Sequence, residues 1–381
     1  MSVRKIPLPL SVKGINLLMQ TLIQISSGKV PEAGVKCVAL AHNEIHRTPD
    51  FLRHHRELGL EHFLIVDDHS TDGTREYLQS QADVTLFQPK GTTYKEHKAL
   101  WRKEILDNYC VGQWTLVLDL DELFVYPHYD RRPISKFIDY LNIEKADAVF
   151  APMVEMYAGH DPAFNLQNDN RIPLIERYPY FDSDGYRLLR PSRKFFKKFP
   201  TPPLEMYGGP RERLFYHFDV NSLNAVFKWL LQRFAPVNRS VNITALASAR
   251  DRFARLLLGP WMPRPPLVMS KIPLIKWSRD LRFPGGPHAV SGKRLLSEVW
   301  GALLHFKFMD FVGETRYRAA RGQHAKGAIH YKLYEDKIST TNFNINPYYA
   351  GSRRYTGWRD LTACHLLRST DAWDKHDQIY S

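Results

Sequence analysis

The sequence contains few cysteines and no long apolar run, and each shortage excludes a class of protein. Its three cysteines, Cys37, Cys110 and Cys364, are spread over 381 residues. An odd number of distant cysteines makes neither a disulfide framework nor a zinc pattern, so we expect a cytoplasmic protein. No apolar run reaches the roughly 18 residues that span a bilayer. The N-terminus also lacks the apolar core and the small-residue cleavage site of a secretory signal.

Two phosphate-binding signatures are absent too. The turn after the first predicted strand contains neither GxGxxG nor GxxxxGK[ST], which argues against a dinucleotide-binding Rossmann domain and against a P-loop. Positive charge, by contrast, is abundant, and the net charge is +13. This excess indicates an anionic partner such as a phosphorylated substrate, an acidic membrane face or a nucleic acid. With 44% apolar residues the chain can also bury a large core.

From residue 35 to residue 154 short apolar strands alternate with helices. The predicted strands cover 35–41, 62–66, 84–87, 114–118 and 148–154. This pattern predicts an α/β fold with a Rossmann-type, mainly parallel sheet and helices on both faces. Beyond residue 157 we expect a less regular region with helices, including one over the apolar segment 295–311. The predicted divisions are 1–32, 33–155, 156–335 and 336–381, the last being a tail packed on the core.

The first division, 1–32, is amphipathic. Apolar residues recur in it at helical spacing, namely Val12, Ile15, Met19, Leu22 and Ile23. The predicted helix either packs on the body of the protein or lies on a membrane as a basic amphipathic helix. The second alternative would place the protein at the inner face of the membrane.

Polar residues follow each of the first four predicted strands. They are Asn43 and Glu44, then Asp67 and Asp68, then Gln88 and Lys90, and finally Asp119 and Asp121. Ligands of parallel sheets bind beyond the carboxyl ends of the strands, so these residues predict one binding edge. The adjacent acids Asp67 and Asp68 need a partner, which is either a nucleobase imide or ribose hydroxyl, or a neighbouring lysine.

The acids after the fourth strand are the strongest indication of function. Asp119, Asp121 and Glu122 follow the apolar run WTLVL. Clustered carboxylates repel one another and lose solvation when buried, so we expect a cation beside them. The simplest such partner is a divalent metal ion that bridges to phosphate oxygens.

Three motifs occur in order along the chain, AHNE at 41–44, DDHSTDGT at 67–74 and LDLDE at 118–122. Together they resemble family 2 glycosyltransferases, whose catalytic domain has the GT-A fold. Gly208, Gly209 and His305 resemble later elements of a bacterial branch of that family. The resemblance is close over 35–154 and thin beyond residue 157. It implies an inverting, metal-dependent transfer of a sugar from a nucleotide-sugar, by default a UDP-sugar, to a glycan, lipid-linked or cell-surface polymer acceptor.

The resemblance also implies roles for the strand-end residues. The residues that would contact the donor are Ala41, Asn43 and Glu44 along the nucleoside, Asp68 at the base, and Asp119 at the ribose. Asp67, next to Asp68, is a further candidate for substrate binding. Asp121 would bind the Mn²⁺ or Mg²⁺ that bridges the donor diphosphate. His305 is the candidate for a further metal ligand, with His288 as a rival. The alternative for His305 is a hydrogen-bonded core residue, which is the commoner role of a histidine in an apolar segment.

Cations and a general base complete the predicted site. Lys98 and Arg102 precede the fourth strand and would stabilise the leaving diphosphate, unless they lie on a solvated helix face. Glu212, which follows the Gly-Gly segment, is the predicted catalytic base, and Glu205 and Asp219 are the alternatives.

A basic cluster precedes and follows that Gly-Gly segment. It consists of Arg187, Arg190, Arg193, Lys194, Lys197 and Lys198, together with Arg211 and Arg213. It would bind the diphosphate or an anionic acceptor, with Arg193 and Arg211 as the predicted contacts, and a solvated positive face is the plainer alternative. Basic residues among aromatic ones also suit single-stranded nucleic acid. No RNA-binding signature accompanies them, however, so we expect no nucleic-acid partner.

Two other functions fit part of the pattern. A nucleotidyltransferase shares the sheet and the metal but has a glycine-rich first loop where this chain has His42, Asn43 and Glu44. A non-catalytic protein that uses a transferase scaffold to bind membranes or nucleic acid would bind in a salt-sensitive and metal-independent way.

Overall fold

The computed structural model describes residues 21–26, 28–159, 171–215, 224–234, 256, 267–322, 325–340 and 345–376. Within these residues one large sheet contains β1 Leu22–Gln24, β2 Lys36–Ala41, β3 His62–Asp67, β4 Val84–Pro89, β5 Trp114–Asp119, β6 Glu122–Val125, β7 Ala148–Glu155, β11 Ser270–Lys276 and β12 Ala302–His305. Two short antiparallel pairs lie outside it. They are β8 (Tyr180–Asp182) with β13 (Ser352–Arg354), and β9 (Arg187–Leu189) with β10 (Glu205–Tyr207).

The strands of the large sheet are ordered β1-β4-β3-β2-β5-β11-β7-β12-β6. β4, β3, β2 and β5 pair in parallel, and β12 pairs in parallel with β7. β11 lies between β5 and β7 and runs antiparallel to both, so β5 and β7 point the same way. The predicted α/β class is therefore confirmed, and the parallel core belongs to a larger mixed sheet.

Burial explains why these strands are central. Every residue of β2, β3 and β7 is buried, which is typical of strands that are covered on both faces.

The helices are α1 Thr48–Glu57, α2 Thr74–Gln79, α3 Tyr94–Tyr109, α4 Ile134–Ile143, α5 Leu174–Arg177, α6 Arg193–Lys198, α7 Pro210–Phe215, α8 Ala225–Phe234, α9 Phe311–Arg321, α10 Ala325–Thr340, α11 Trp358–Ala363 and α12 Asp371–Asp374. No helix within the described ranges is both long and apolar enough to cross a membrane.

Two segments differ from their predicted structure. The apolar segment 295–311 contains strand β12 where a helix was expected, because pairing with β7 and β6 satisfies the backbone groups of a fully buried segment. Leu22 and Ile23 belong to β1, which pairs with β4, and so do not continue the predicted N-terminal helix. The remainder of that helix, residues 1–20, lies outside the described residues. The large sheet also contains β11 and β12, so it includes strands from the part of the chain beyond residue 155.

Candidate active site

A cleft of about 1390 Å³ opens where the parallel strands end. The segments after β2, β5 and β12 line it, together with side chains of α3, α9 and α10. The residues predicted from sequence that line the cleft are Ala41, Asn43, Glu44, Lys98, Arg102, Asp119, Asp121, Arg211 and His305. Asp67, Asp68, Arg193 and Glu212 lie outside this lining. The structure thus brings most of the predicted site together.

Asp119, at the end of β5, is neutralised by two cations of the chain itself. Its Oδ1 accepts a hydrogen bond from Arg102 Nη2 at 2.6 Å, and its Oδ2 accepts one from Lys271 Nζ at 2.6 Å. Burial by itself would raise the pKa of Asp119. The two cations outweigh burial and hold that pKa well below its usual range.

Lys271 of β11 is a site residue that the sequence analysis missed. Its Nζ also lies 2.5 Å from Glu122 Oε1. Both side chains are buried, so each charge relies on the other in place of water. A lysine inside the apolar run MSKIPLI is the one local sign of this role. Its position beside Asp119 depends on β11 pairing with β5, which no local pattern predicts.

Asp121 faces a different partner. Its Oδ2 lies 3.4 Å from His305 Nε2 and 3.9 Å from Lys307 Nζ. Asp121, Glu122 and His305 bring two carboxylates and an imidazole within 4.8 Å of one another, a set that could hold a divalent metal ion. Because Lys271 already engages Glu122, Asp121 and His305 are the residues best placed to bind it.

His305 is held from both sides by the sheet. In β12 it stands opposite Glu122 of β6 and Glu155 of β7, and its Nδ1 lies 3.6 Å from Glu155 Oε1. Burial lowers the pKa of His305, but the neighbouring acids raise it more. The rival, His288, places its Nδ1 2.9 Å from the carbonyl oxygen of Ser270, and burial lowers its pKa to about 3. His305 is therefore the histidine that faces Asp121.

Asp67 and Asp68, at the end of β3, both pair with arginines. Asp67 is fully buried and accepts hydrogen bonds from Ser70 N at 3.2 Å and from Arg75 Nε at 2.9 Å, so it stabilises its own loop. Asp68 Oδ2 accepts a hydrogen bond from Arg321 Nη2 at 2.7 Å, at the end of α9. A neighbouring cation was the alternative to a nucleobase for these acids. The described residues supply such a cation for each acid, and in both cases it is an arginine and not a lysine.

The AHNE motif after β2 cross-links the loops around the cleft. Asn43 adopts a φ of +54°, which asparagine tolerates well; its N donates to Ser70 Oγ at 3.0 Å and its Oδ1 accepts from Thr71 N at 2.8 Å. Glu44 accepts hydrogen bonds from Arg47 Nη1 at 2.6 Å and from Arg318 Nη2 at 3.3 Å. Both residues line the cleft and also hold its loops together.

The segment from β12 to α10 brings positive charge into the cleft. Lys307 Nζ lies 3.3 Å from Glu314 Oε2 and 5.5 Å from the centre of the Tyr331 ring. Arg318 Nη1 donates a hydrogen bond to the Tyr331 hydroxyl at 3.3 Å. Burial raises the pKa of Tyr331, yet Lys307, Arg318 and Arg211 together lower it to about 8. The lowered pKa of Tyr331 reflects the strongly positive surroundings of its hydroxyl.

Lys98 and Arg102 of α3 also face the cleft. Lys98 Nζ lies 4.9 Å from the centre of the Tyr94 ring, and burial together with repulsion from Arg102 lowers the pKa of Lys98. Arg102 is buried and donates a hydrogen bond to the carbonyl oxygen of Gly285 at 2.8 Å. Neither side chain lies on a freely solvated helix face.

Glu212, the predicted catalytic base, points away from the cleft. It is 1% exposed, and its Oε1 lies 2.6 Å from Arg187 Nη2 in a buried ion pair. Neighbouring residues of a helix project about 100° apart, so Arg211 of α7 lines the cleft while Glu212 faces the core. Of the alternatives, Glu205 lines the cleft, whereas Asp219 lies outside the described residues.

The basic cluster reaches the cleft only in part. Arg211 lines it and pairs with Glu155. Arg193 is exposed on α6, next to the lining residues Ser192 and Phe195. The two predicted contacts of this cluster therefore lie in different environments.

No protein-family model matches the chain, and no curated protein matches it at a significant level. The resemblance to family 2 glycosyltransferases therefore rests on the three sequence motifs alone.

Proposed function

We propose that the protein is a metal-dependent glycosyltransferase of the GT-A type that transfers a sugar from a nucleotide-sugar to a glycan, lipid-linked or cell-surface polymer acceptor. One observation carries the proposal. Asp121 and His305, from distant parts of the chain, lie 3.4 Å apart in a cleft that also contains Asp119 and several cations. An acid and an imidazole beside cations suit a metal-bound nucleoside diphosphate.

The strand order supports a ligand site at this place. The chain passes from β2 to β3 on one side of β2, whereas β5 lies on its other side. The crevice between the ends of β2 and β5 is therefore a topological switch point, where open α/β sheets bind their ligands. Asn43 and Glu44 flank it from β2, and Asp119 and Asp121 flank it from β5.

The chemistry of sugar transfer explains the charges in the cleft. As the bond between the sugar and the phosphate breaks, negative charge develops on the leaving nucleoside diphosphate. Asp121 and His305 would hold Mn²⁺ or Mg²⁺, which stabilises that charge when bound. Lys307 and Arg318 would donate hydrogen bonds to the phosphate oxygens. Asp119 would accept a hydrogen bond from the ribose, since carboxylate oxygens accept more than one.

Glu205 is the described carboxylate best placed to act as the general base. It lines the cleft, and the Tyr207 hydroxyl donates a hydrogen bond to its Oε2 at 2.6 Å, which orients the carboxylate. It would remove the proton of the acceptor hydroxyl as that oxygen attacks the anomeric carbon. The diphosphate would leave from the opposite face, so the configuration of the sugar would invert.

Thermal unfolding with a panel of nucleoside diphosphates and nucleotide-sugars tests the proposal. We expect a rise in Tm when a nucleotide and Mn²⁺ are present together, and release of the nucleoside diphosphate from one donor. Asp121→Asn should abolish the rise. Asp139→Asn, an exposed acid of α4, is the matched control and should keep it.

Other outcomes point to other functions. If no nucleoside diphosphate raises Tm in Mn²⁺, the proposal is wrong. Release of pyrophosphate from a nucleoside triphosphate, added to the panel with a sugar phosphate, would instead indicate a nucleotidyltransferase. Salt-sensitive binding of vesicles or nucleic acid, unaffected by metal and with no nucleotide effect, would indicate the non-catalytic alternative.

A further inference from the structure

α6 (Arg193–Lys198) is a strongly basic surface helix at the edge of the cleft. Its exposed cations are Arg193, Lys194, Lys197 and Lys198. In the part of the chain that the structure describes, none of these four side chains pairs with an acid. The surrounding stretch 185–204 contains no acidic residue at all. The positive charge of α6 is therefore directed outwards.

Three cations that line the cleft, Arg102, Lys271 and Arg211, are arranged differently. Arg102 and Lys271 pair with Asp119, and Arg211 pairs with Glu155. Each of these cations serves an internal acid, so their positive charge is largely cancelled. The uncompensated charge of α6 is available to a partner outside the protein.

Aromatic rings accompany the cations of α6. Phe195 and Phe199 are half-buried, with ring centres 5.2 Å apart, and Phe195 also lines the cleft. A short element with exposed cations and partly exposed aromatic rings suits the interface of a bilayer, where the rings reach the acyl boundary and the cations meet phosphates.

α8 (Ala225–Phe234) presents a second surface of the same character. Val226 and Trp229 are 65% and 58% exposed, and Arg233 is exposed on the same helical face. Tryptophan beside a basic residue is typical of the headgroup region of a membrane. A soluble polyanion would gain nothing from the exposed valine, so this face favours a lipid surface over a dissolved polymer.

We propose that α6 and α8 bind the surface of an anionic bilayer, which places the edge of the cleft next to the lipid phosphates. This contact does not depend on the proposed activity. Its consequence for the acceptor does rest on the proposed function, because a cleft that opens at the membrane surface would select a lipid-linked acceptor from the three classes.

Flotation of the full chain with vesicles tests this proposal. We expect the chain to float with vesicles that contain phosphatidylglycerol and not with vesicles of phosphatidylcholine alone, and to dissociate as NaCl is raised. Replacing the four cations of α6 by glutamine should weaken the affinity by roughly several hundredfold, because each basic residue at an anionic surface contributes about fivefold. Trp229→Ser should weaken it by about tenfold, with little change in the salt dependence.

A control with the same loss of charge separates a specific surface from general attraction. It replaces four exposed cations elsewhere by glutamine, namely Lys29, Lys90, Lys136 and Arg279. This variant should keep most of the affinity. Equal losses in the α6 variant and the control, or no flotation of the wild type, would overturn the proposal. Tight binding of single-stranded DNA that depends on α6, with no flotation, would replace the membrane by nucleic acid.

The same preparations separate this proposal from the proposed function. The Tm rise with nucleoside diphosphate and Mn²⁺ should be unchanged when only Lys194, Lys197 and Lys198 of α6 are replaced by glutamine, because these three side chains do not line the cleft. Flotation without any nucleotide effect in the wild type would contradict the transferase and leave the membrane contact standing.

Discussion

Asp119 and Asp121 are separated by one residue, yet the protein surrounds them differently. Asp119 lies between two internal cations, Arg102 and Lys271, at 2.6 Å each. Asp121 lies 3.4 Å from His305 and 3.9 Å from Lys307, and its side chain is 8% exposed. An acidic motif in a sequence therefore does not show which cation each of its acids will contact in the folded protein. Asp119 is neutralised by two cations of the chain, whereas Asp121 lies beside an imidazole in a group of side chains that could hold a metal ion.

Sheet geometry explains the difference. Asp119 is the last residue of β5 and is reached by Lys271, because β11 pairs alongside β5. Asp121 lies in the turn between β5 and β6. The pairing of β6 with β12 sets His305 opposite Glu122. The imidazole therefore lies beside Asp121 in the turn and not beside Asp119 at the end of β5.

Removal of the internal cation should have the largest effect on stability. Lys271→Met leaves Asp119 and Glu122 without their shared partner, and Glu122 is fully buried. We expect the free energy of unfolding to fall by about 3–5 kcal/mol, as for a broken buried ion pair. Urea unfolding measures it. Lys276→Met, at the exposed end of the same strand, is the control and should cost less than about 0.5 kcal/mol. Equal costs would show that Lys271 is not a structural counter-ion.

Exchange of each acid for its amide tests the comparison directly. Asp121→Asn should weaken Mn²⁺ binding by at least about 100-fold, more than the loss of an outer-shell partner costs. Asp119→Asn should keep most of the Mn²⁺ affinity but lower the free energy of unfolding by roughly 2–3 kcal/mol, because Lys271 stays buried with less counter-charge. Calorimetric titration with Mn²⁺ and urea unfolding give the two values. The reverse result would exchange the roles of the two acids.

The positive surroundings of Tyr331 should make stability depend on pH. Its pKa falls from 10.0 to about 8 in the folded protein. Between pH 8 and pH 10 the folded state has released a proton that the unfolded state keeps, so stability should rise with pH in this window. The contribution, about 3 kcal/mol, is complete above pH 10 and lost below pH 8. Urea unfolding of wild type and Tyr331→Phe at both pH values isolates it. An identical pH dependence in the two proteins would contradict the lowered pKa.

The smallest effect is expected for the ion pair between Arg321 and Asp68. Its N–O distance is 2.7 Å, close to that of Lys271 and Asp119, but the Arg321 side chain is 28% exposed. Water and salt screen such a pair, so Arg321→Gln should lower the free energy of unfolding by less than about 1 kcal/mol. Arg279→Gln, an exposed arginine, is the control. A loss as large as that of Lys271→Met would show that burial does not separate the two pairs.

Local pattern was sufficient to predict the parallel strands and their polar ends. Each of β2, β3 and β5 is a short apolar run that ends in polar residues, and the regular alternation with helices implies parallel pairing. The apolar segment 295–311 was predicted wrongly because a buried strand and a buried helix share an apolar composition. Pairing of β12 with β7 and β6 decided between them.

The candidate site was predictable where its residues follow strands, and Glu212 shows the limit. Position after a Gly-Gly segment suggested a base, but the orientation of α7 turns Glu212 towards Arg187 and leaves Arg211 in the cleft. Glu205 precedes the same segment on β10 and lines the cleft. Sequence spacing cannot tell which side of a short helix or strand faces a cavity.

The sequence by itself determined that acids and amides gather at one edge of the sheet, because parallel strands bring their carboxyl ends together. Only the tertiary structure decided which cation each acid receives. Lys271 meets Asp119 across 152 residues of chain, and Arg321 meets Asp68 across 253. The physical reason is that an ion pair requires atoms a few ångströms apart, and long-range strand and helix packing sets that distance while local pattern does not.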